Sequence, residues 1–400
     1  MLNRYPHLFF AIAVFLSVAS CVDPYQMETN TFEEAIVVEA SISNQLKKHT
    51  IKITKTYKLE ETDPTIETGA TVFVADDAGN SYDFSFQSGL YVSDVPFQAV
   101  AGRAYTLNIT ASDGTTYQSS PETLTAETPI ESVTANVETK DGQLGVQISV
   151  NSNDPTRASK YYRYEYEETY KVIAPFWSPF TASVVLDDEQ EWSGDDIIVL
   201  SPRTYEAKTC YTTNRSTELF LTTTVNLTED HVVNFPMRFI SVDDPIIQHR
   251  YSIKVTQYVQ SLAAHTFYAT LKELSTSGGN ILDQNQPGFI YGNLHSVSNE
   301  NQKVIGFFEV SAVDEQRIFF NFEDIFPNEQ PPGYHYECEA YEFDSDNFGP
   351  GPNPGRTLRG FIIGGNYLYY IHYGALYYVV RAECGDCTVL SSNIIPEFWE

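Results

Sequence analysis

The sequence predicts a mainly β protein, an N-terminal immunoglobulin- or prealbumin-like sandwich followed by a larger β-rich domain with one covering helix. Three observations carry that prediction. The chain has 27 Tyr and 25 Phe against 3 Met and 3 Trp, a balance that suits pleated, half-buried strands better than helical bundles. Short alternating apolar runs bounded by Gly, Asn, Asp and Pro recur along its whole length. Only one segment has clear helical spacing. With 400 residues there is room for about two or three domains, each with a core of its own.

Residues 1–20 read as a lipoprotein signal peptide. Asn3 and Arg4 open it, an apolar run from Leu8 to Leu16 follows, and Val18-Ala19-Ser20 precede Cys21. The run is too short to span a bilayer and has the length of a secretory h-region. Small side chains before Cys21 leave the backbone open to a signal peptidase. The Cys21 thiol is the group that takes the diacylglyceryl unit, so Cys21 is the expected lipidation site. One acyl chain anchors marginally and several anchor firmly, so the mature chain is expected to be tethered to a membrane. Residues 21–34, polar and aperiodic, form the lipidated cysteine and spacer. The chain carries 53 Asp+Glu and 24 Lys+Arg, a net charge of −29. Loss of the signal removes Arg4 and no acid, leaving 23 basic groups and a charge of −30. Such a surface repels phosphate backbones and excludes general nucleic-acid binding.

Strand signals fill residues 35–128. Ile36 to Ile42 comes first, and His49 to Tyr57 alternates Ile51 and Ile53 with polar groups. Ala70 to Asp76 runs into the turn-forming Asp77-Ala78-Gly79-Asn80. Tyr82 to Phe86 alternates strictly, Gly89 to Val92 follows, and Tyr105 to Ile109 leads through Ser112-Asp113-Gly114 into Thr115 to Tyr117. So many short strands in so short a stretch describe a sandwich. Thr128-Pro129-Ile130 marks the boundary of a second region, residues 129–400.

That region opens with a hairpin, Ile130 to Glu138 and Leu144 to Val150, around Lys140-Asp141-Gly142. Tyr161 to Tyr170 alternates aromatic and charged residues, as a strand with one wet face does. Leu219 to Leu227, Val232 to Ile240 and Tyr251 to Tyr258 add strands. Ser261 caps the predicted helix from Leu262 to Ser275, whose Ala263, Phe267, Leu271 and Leu274 share a face, and Gly278-Gly279 stop it. Strands resume at Val304 to Val310 and Arg317 to Phe322. A Pro/Gly-rich loop, Gly349 to Gly355, precedes a last pair, Tyr367 to Tyr373 and Leu376 to Ala382.

Beyond Cys21 there are four cysteines, Cys210, Cys338, Cys384 and Cys387. An even number in an exported chain reads as two structural disulfides, with three possible pairings. The Cys384-Gly385-Asp386-Cys387 spacing also fits half a zinc site or a redox pair. Zinc needs further ligands nearby, and a thioredoxin-like site needs a βαβ setting that this strand-flanked motif lacks. No pair of histidines has zinc-hydrolase spacing, and neither a nucleophile elbow nor a phosphate loop is present. Asp344-Ser345-Asp346 places oxygens as calcium loops do, but Gly355 stands where an EF-hand needs its distal Glu. Asp344 and Asp346 are therefore weak calcium candidates, with a solvated turn the plainer reading. The same reading applies to Asp187-Asp188-Glu189 and Asp195-Asp196. No cofactor is expected. The aromatic stretches offer the best binding surface, with Tyr164, Tyr166, Phe176, Trp177, Tyr367 and Tyr369 its candidates; the plainer alternative is that alternate rings fill the core.

Several motifs, in this order, resemble one known family. They begin with Cys21-Val22-Asp23-Pro24, the opening strand from Val37 to Ile42, and Gly69-Ala70-Thr71-Val72 before the Asp76-Asp77-Ala78-Gly79-Asn80 turn. The helix then runs into Gly278-Gly279-Asn280-Ile281-Leu282-Asp283, followed by Gly292-Asn293-Leu294 and Gly306-Phe307-Phe308-Glu309-Val310. Cys384-Gly385-Asp386-Cys387-Thr388 and Pro396-Glu397-Phe398-Trp399 end the series. Together they resemble the lipoproteins of domain-of-unknown-function family 4249, found mainly in Bacteroidota. The resemblance implies an outer-membrane lipoprotein, lipid-anchored at the cell surface, that accompanies a TonB-dependent transporter. The expected function is thus non-enzymatic: accessory binding in nutrient uptake. The alternatives are a surface hydrolase of glycans or peptides, or a structural or assembly lipoprotein.

Overall fold

A computed structural model describes residues 35–56, 63–185, 197–277, 290–299, 302–347 and 354–399. Cys21, the spacer, the acidic clusters near Asp187 and Asp195, and Gly278-Gly279 lie outside the described residues. Strands make up 50% of the chain and helix 12%, so the class is mainly β, in several sheets.

The first eight strands are β1 (Ile36–Ser43), β2 (Thr50–Lys55), β3 (Thr71–Asp76), β4 (Ser81–Gln87), β5 (Leu90–Ser93), β6 (Ala104–Thr110), β7 (Thr116–Ser119) and β8 (Glu122–Thr123). Then come β9 (Ile130–Lys140), β10 (Gln143–Asn153), β11 (Tyr161–Ile173), the ribbon β12 (Phe180–Val185) and β13 (Ile197–Pro202), and β14 (Thr209–Arg215). They are followed by β15 (Phe220–Thr223), β16 (His231–Ser241), β17 (Arg250–Val259), helix α1 (Leu262–Ser277), β18 (Leu294–Ser296) and β19 (Val304–Asn321). A short helix α2 (Phe322–Ile325), β20 (Tyr341–Asp344), α3 (Pro354–Gly364), β21 (Tyr367–Tyr373), β22 (Leu376–Arg381) and α4 (Ala382–Gly385) complete the order.

Local chemistry fixes the turns. Between β3 and β4, the Asp76 carboxylate accepts from the backbone N–H of Ala78 at 3.0 Å and of Asn80 at 2.8 Å, while Gly79 takes φ +89°. Asp141 and Gly142, at φ +52° and +82°, make the β9–β10 hairpin turn.

The large sheet runs β14-β11-β17-β19-β1-β2-β5-β4-β3-β6-β7-β18, with β15 added on β11 and β8 on β6. Its hinge is β19. Residues 304–311 of that strand pair in parallel with β1, and residues 312–321 pair antiparallel with β17. The two strands expected from Val304 and from Arg317 are therefore one 18-residue strand. The acids Asp314 and Glu315 break the apolar pattern, but β17 continues the pairing past them.

Two cores result. One encloses the inward residues of β1 to β7 with Leu294, Val304, Phe308 and Val310. The other lies where the β16-β10-β9 sheet covers one face of β11, β17 and the far end of β19. A third sheet, β20-β22-β21, packs beside α3 and the β12–β13 ribbon.

Three expectations needed adjustment. The Leu219 to Leu227 strand shrinks to β15, because Thr224 N–H bonds to Lys160 O and a turn begins there. The Pro/Gly-rich loop gives way at Pro354 to α3, a further helix, with proline at the helical start where its missing N–H costs nothing. In α1 the buried residues are Ala264 and Phe267, and Ala263 is exposed. Ser261 does cap that helix, its Oγ accepting from Ala264 N–H at 3.1 Å. Among the described residues no helix is long and apolar enough to cross a membrane.

Candidate functional site

β11 has two faces. Tyr162, Tyr164 and Tyr170 point into the second core, and Arg163, Glu165 and Glu167 point the other way. That second face continues across β17, β19, β1 and β2, which lie side by side in the sheet. Register sets the neighbours: Arg163 lies opposite Tyr258, Glu39 opposite both Phe307 and Lys52, and Ser41 opposite Glu309. Helix α1 crosses over part of this face, with Phe267 against Phe307.

At the centre is a buried charged cluster. The Arg163 guanidinium is bonded through Nη2 to Glu309 Oε2 at 3.1 Å and through Nη1 to the Glu165 carboxylate. Its carbon lies 3.9 Å from the Tyr258 ring centroid and 4.9 Å from that of Tyr268, within cation–π reach of both. Glu309 is 1% exposed and also accepts from Gln260 Nε2 at 3.1 Å and Ser311 Oγ at 2.6 Å. Tyr258 Oη donates to Glu165 Oε2 at 3.1 Å. Burial by itself lowers the Arg163 pKa, but Glu309, then Tyr268 and Glu165, outweigh it and hold it above its ordinary value. Burial, then the nearby Glu165, pushes the Tyr258 phenol up; burial and Glu309 do the same to Tyr268. The cluster is thus a fixed guanidinium held between Glu165 and Glu309, beside two phenols that stay neutral at pH 7.

The cluster borders a cavity of about 610 Å³. Arg163, Glu165, Tyr258, Glu39 and Lys52 form its polar side; Phe267, Leu271, Ile305 and Phe307 form much of its apolar side. A second space of about 230 Å³, lined by Lys47, Lys48 and His49, has Ser41, Thr50 and Tyr258 in its wall as well, so the two are neighbours, together called the groove. A space of this size suits a small organic ligand or a short piece of polymer.

The aromatic candidates divide. Tyr164 is fully buried with its hydroxyl 3.2 Å from Ser152 Oγ, and Tyr369 is buried with its hydroxyl 2.8 Å from His372 Nδ1. Those two belong to the interior and offer no binding surface, because their strands are covered on that face. Tyr166, Phe176, Trp177 and Tyr367 are half-buried. Tyr166 packs on Phe220, and Tyr367 stacks on Phe361 of α3 at 4.3 Å. Phe176 meets Tyr370 edge-to-face at 5.2 Å, so the two aromatic stretches do touch, through that pair.

The cysteines close as Cys210–Cys387 and Cys338–Cys384. Cys384 and Cys387 pair outward to distant partners, so their spacing makes neither a redox pair nor a zinc site. Asp386 between them is held by Arg203 at 2.9 Å and Tyr205 at 2.6 Å. Hydrogen bonds to Thr388, Tyr205 and Arg203 hold the Asp386 carboxyl below its ordinary range despite its burial. The motif is a clamp joining the third sheet to β14. Asp344 Oδ1 accepts from Asp346 N–H at 3.1 Å in a turn. Among the described residues no three His, Cys, Asp or Glu converge as metal ligands.

Sequence reasoning passed over Arg163, Glu165, Tyr258, Tyr268 and Glu309. One signal was available. Glu309 interrupts the apolar run from Ile305 to Val313, and a carboxylate inside such a run needs a buried cation.

A family model described as "Domain of unknown function (DUF4249)" matches residues 22–317. The chain belongs to the DUF4249 family. Comparison with curated proteins found no match. The DUF4249 span contains every residue of the Arg163 cluster and its cavity, whereas Cys338, Cys384 and Cys387 lie beyond it.

Proposed function

We propose that this DUF4249 protein is a non-enzymatic lipoprotein, anchored in the outer membrane through Cys21 and exposed at the cell surface. It acts beside a TonB-dependent transporter in nutrient uptake, holding a ligand in the groove beneath α1. The observation that carries the binding reading is the Arg163–Glu165–Glu309 cluster, whose Arg163 and Glu165 line a ligand-sized cavity with the buried Glu309 behind them. Burying an arginine and a glutamate is costly even when they pair, so such a cluster is better accounted for by recognition than by stability. Both carboxylates already accept hydrogen bonds from fixed partners, which suits positioning rather than proton transfer. The anchor rests on the residues around Cys21, and the transporter on the family resemblance.

In the same reading, residues 35–128 form an immunoglobulin- or prealbumin-like sandwich and residues 129–400 a larger β-rich domain with α1 as its covering helix. The core of β1 to β7 supports the sandwich, with Leu294, Val304, Phe308 and Val310 contributed to it from the later region. Affinity capture of the lipidated chain from native outer membranes tests the function. Recovery of a TonB-dependent transporter in near-equal amount is expected, and loss of Cys21 should release the chain from the membrane.

Two carboxylates, Glu39 and Glu165, line the cavity, and a carboxylate pair is also what a surface hydrolase of glycans or peptides requires. That second reading demands turnover of such a substrate, abolished by E165Q.

A further inference from the structure

We infer that the groove takes an amphipathic organic anion, an apolar or aromatic body ending in a carboxylate. The inference rests on the ligand-binding reading above and names the class of ligand. Its basis is which charges in the groove are already matched.

Each of the carboxylates in or beside the groove is in contact with a cation. Glu39 pairs with Lys52 at 3.0 Å, and Glu315 with Lys254 at 3.2 Å. Glu165 and Glu309 share Arg163. One cation is left over. Lys47 Nζ bonds at 2.7 Å to the neutral Gln45 side chain, and among the described residues no carboxylate lies within ion-pair distance of it. The cation without a paired carboxylate is thus Lys47, with Lys48 next to it, at the polar end of the groove, in a chain whose net charge is −29. A ligand amine would find every carboxylate occupied and Lys47 repelling it. A ligand carboxylate would find an ammonium whose partial enclosure by protein already disfavours its isolated charge. The rest of the groove is apolar: Phe267 and Leu271 from α1, Ile305 and Phe307 from β19, and Leu90 from β5. Anion at the Lys47 end and hydrocarbon under α1 is the pattern these walls complement.

Isothermal titration of the full chain in detergent, with 4-phenylbutyrate and 4-phenylbutylamine as probes, tests this. The two share an apolar body and differ in charge. Phenylbutyrate should bind at least about tenfold more tightly, K47E should weaken it by about tenfold and K47Q by less. L271W, which fills the apolar end, should abolish binding. The Lys47 ammonium bonds to the Gln45 side chain and to no core residue, so its variants should keep the fold, which far-UV circular dichroism checks. If the amine binds as well as the acid, or K47E leaves the acid unaffected, the inference is wrong while the groove remains a binding site. If neither probe binds but the transporter is still captured, the inference falls and the accessory function stands.

Discussion

Gly292 lies against the carbonyl of Gly306, so close that a Cβ at position 292 would collide with that oxygen. Gly306, at φ +146°, in turn faces the carbonyl of Val38 on the neighbouring strand. The next residue, Asn293, completes the junction. Its side-chain amide donates to Phe308 O at 2.9 Å and accepts from Phe308 N–H at 2.8 Å, replacing a strand partner where β18 returns to β19. G292A and G306A are each expected to cost at least about 3 kcal/mol, because backbone is what the methyl group meets. G79A, at φ +89° with nothing near its Cβ, should cost only about 1–2 kcal/mol of backbone strain. Urea unfolding of the three variants orders them.

Arg163 and Glu309 depend on one another more than either depends on solvent. R163M leaves Glu309 buried beside Gln260 and Ser311 without a cation, and about 3–5 kcal/mol of stability should be lost. R163M/E309M removes both charges and should recover a large part of it. A double-mutant cycle measures the coupling, and simple additivity of the two single losses would contradict the geometry described here.

Much of this organisation is legible in the sequence. The Tyr161 to Tyr170 alternation assigns Tyr162 and Tyr164 to one face of β11 and Arg163 and Glu165 to the other, and Ser261 announces α1. The pairing of β1 with β19 was not legible, since residues some 270 apart carry no local sign of meeting. For the same reason the choice among three cysteine pairings had to come from the fold. The site was missed because it is assembled from six strands and a helix, each contributing a few residues whose local patterns read as ordinary strand or helix.

His49 makes stability depend on pH. It is 3% exposed, with Nε2 at 2.9 Å from Phe97 O, and burial lowers its pKa from 6.5 to about 4. The unfolded chain therefore binds the proton first, and its contribution is complete above pH 6.5 and lost as pH falls towards 4. The loss is at most about 3 kcal/mol. His249, His265 and His335, lowered mainly by burial, act in the same sense. Asp76, Asp154 and Asp386, all held below their ordinary range, lose their contribution only at more acid pH. Chemical unfolding at pH 7 and pH 5 should show a shallower dependence for H49N than for the parent chain.

The two disulfides should differ in how they open rather than in how much they stabilise. Cys210–Cys387 spans 177 residues and Cys338–Cys384 spans 46, which in the chain-entropy account makes them worth about 5 and about 4 kcal/mol. Access separates them more clearly. Cys210 and Cys387 are both fully buried, whereas Cys338 is half-buried, and exchange requires an attacking thiolate to reach a sulfur. Limiting reductant followed by alkylation and peptide mass spectrometry should therefore label Cys338 and Cys384 first. Once that bond is open, Cys210–Cys387 still ties the C-terminal sheet to β14, helped by Arg203 and Tyr205 on Asp386. Hydrogen exchange in β21 and β22 should rise modestly at that stage and strongly in C210A/C387A. Equal labelling of all four cysteines from the outset would mean that the clamp around Asp386 opens as readily as the loop around Cys338.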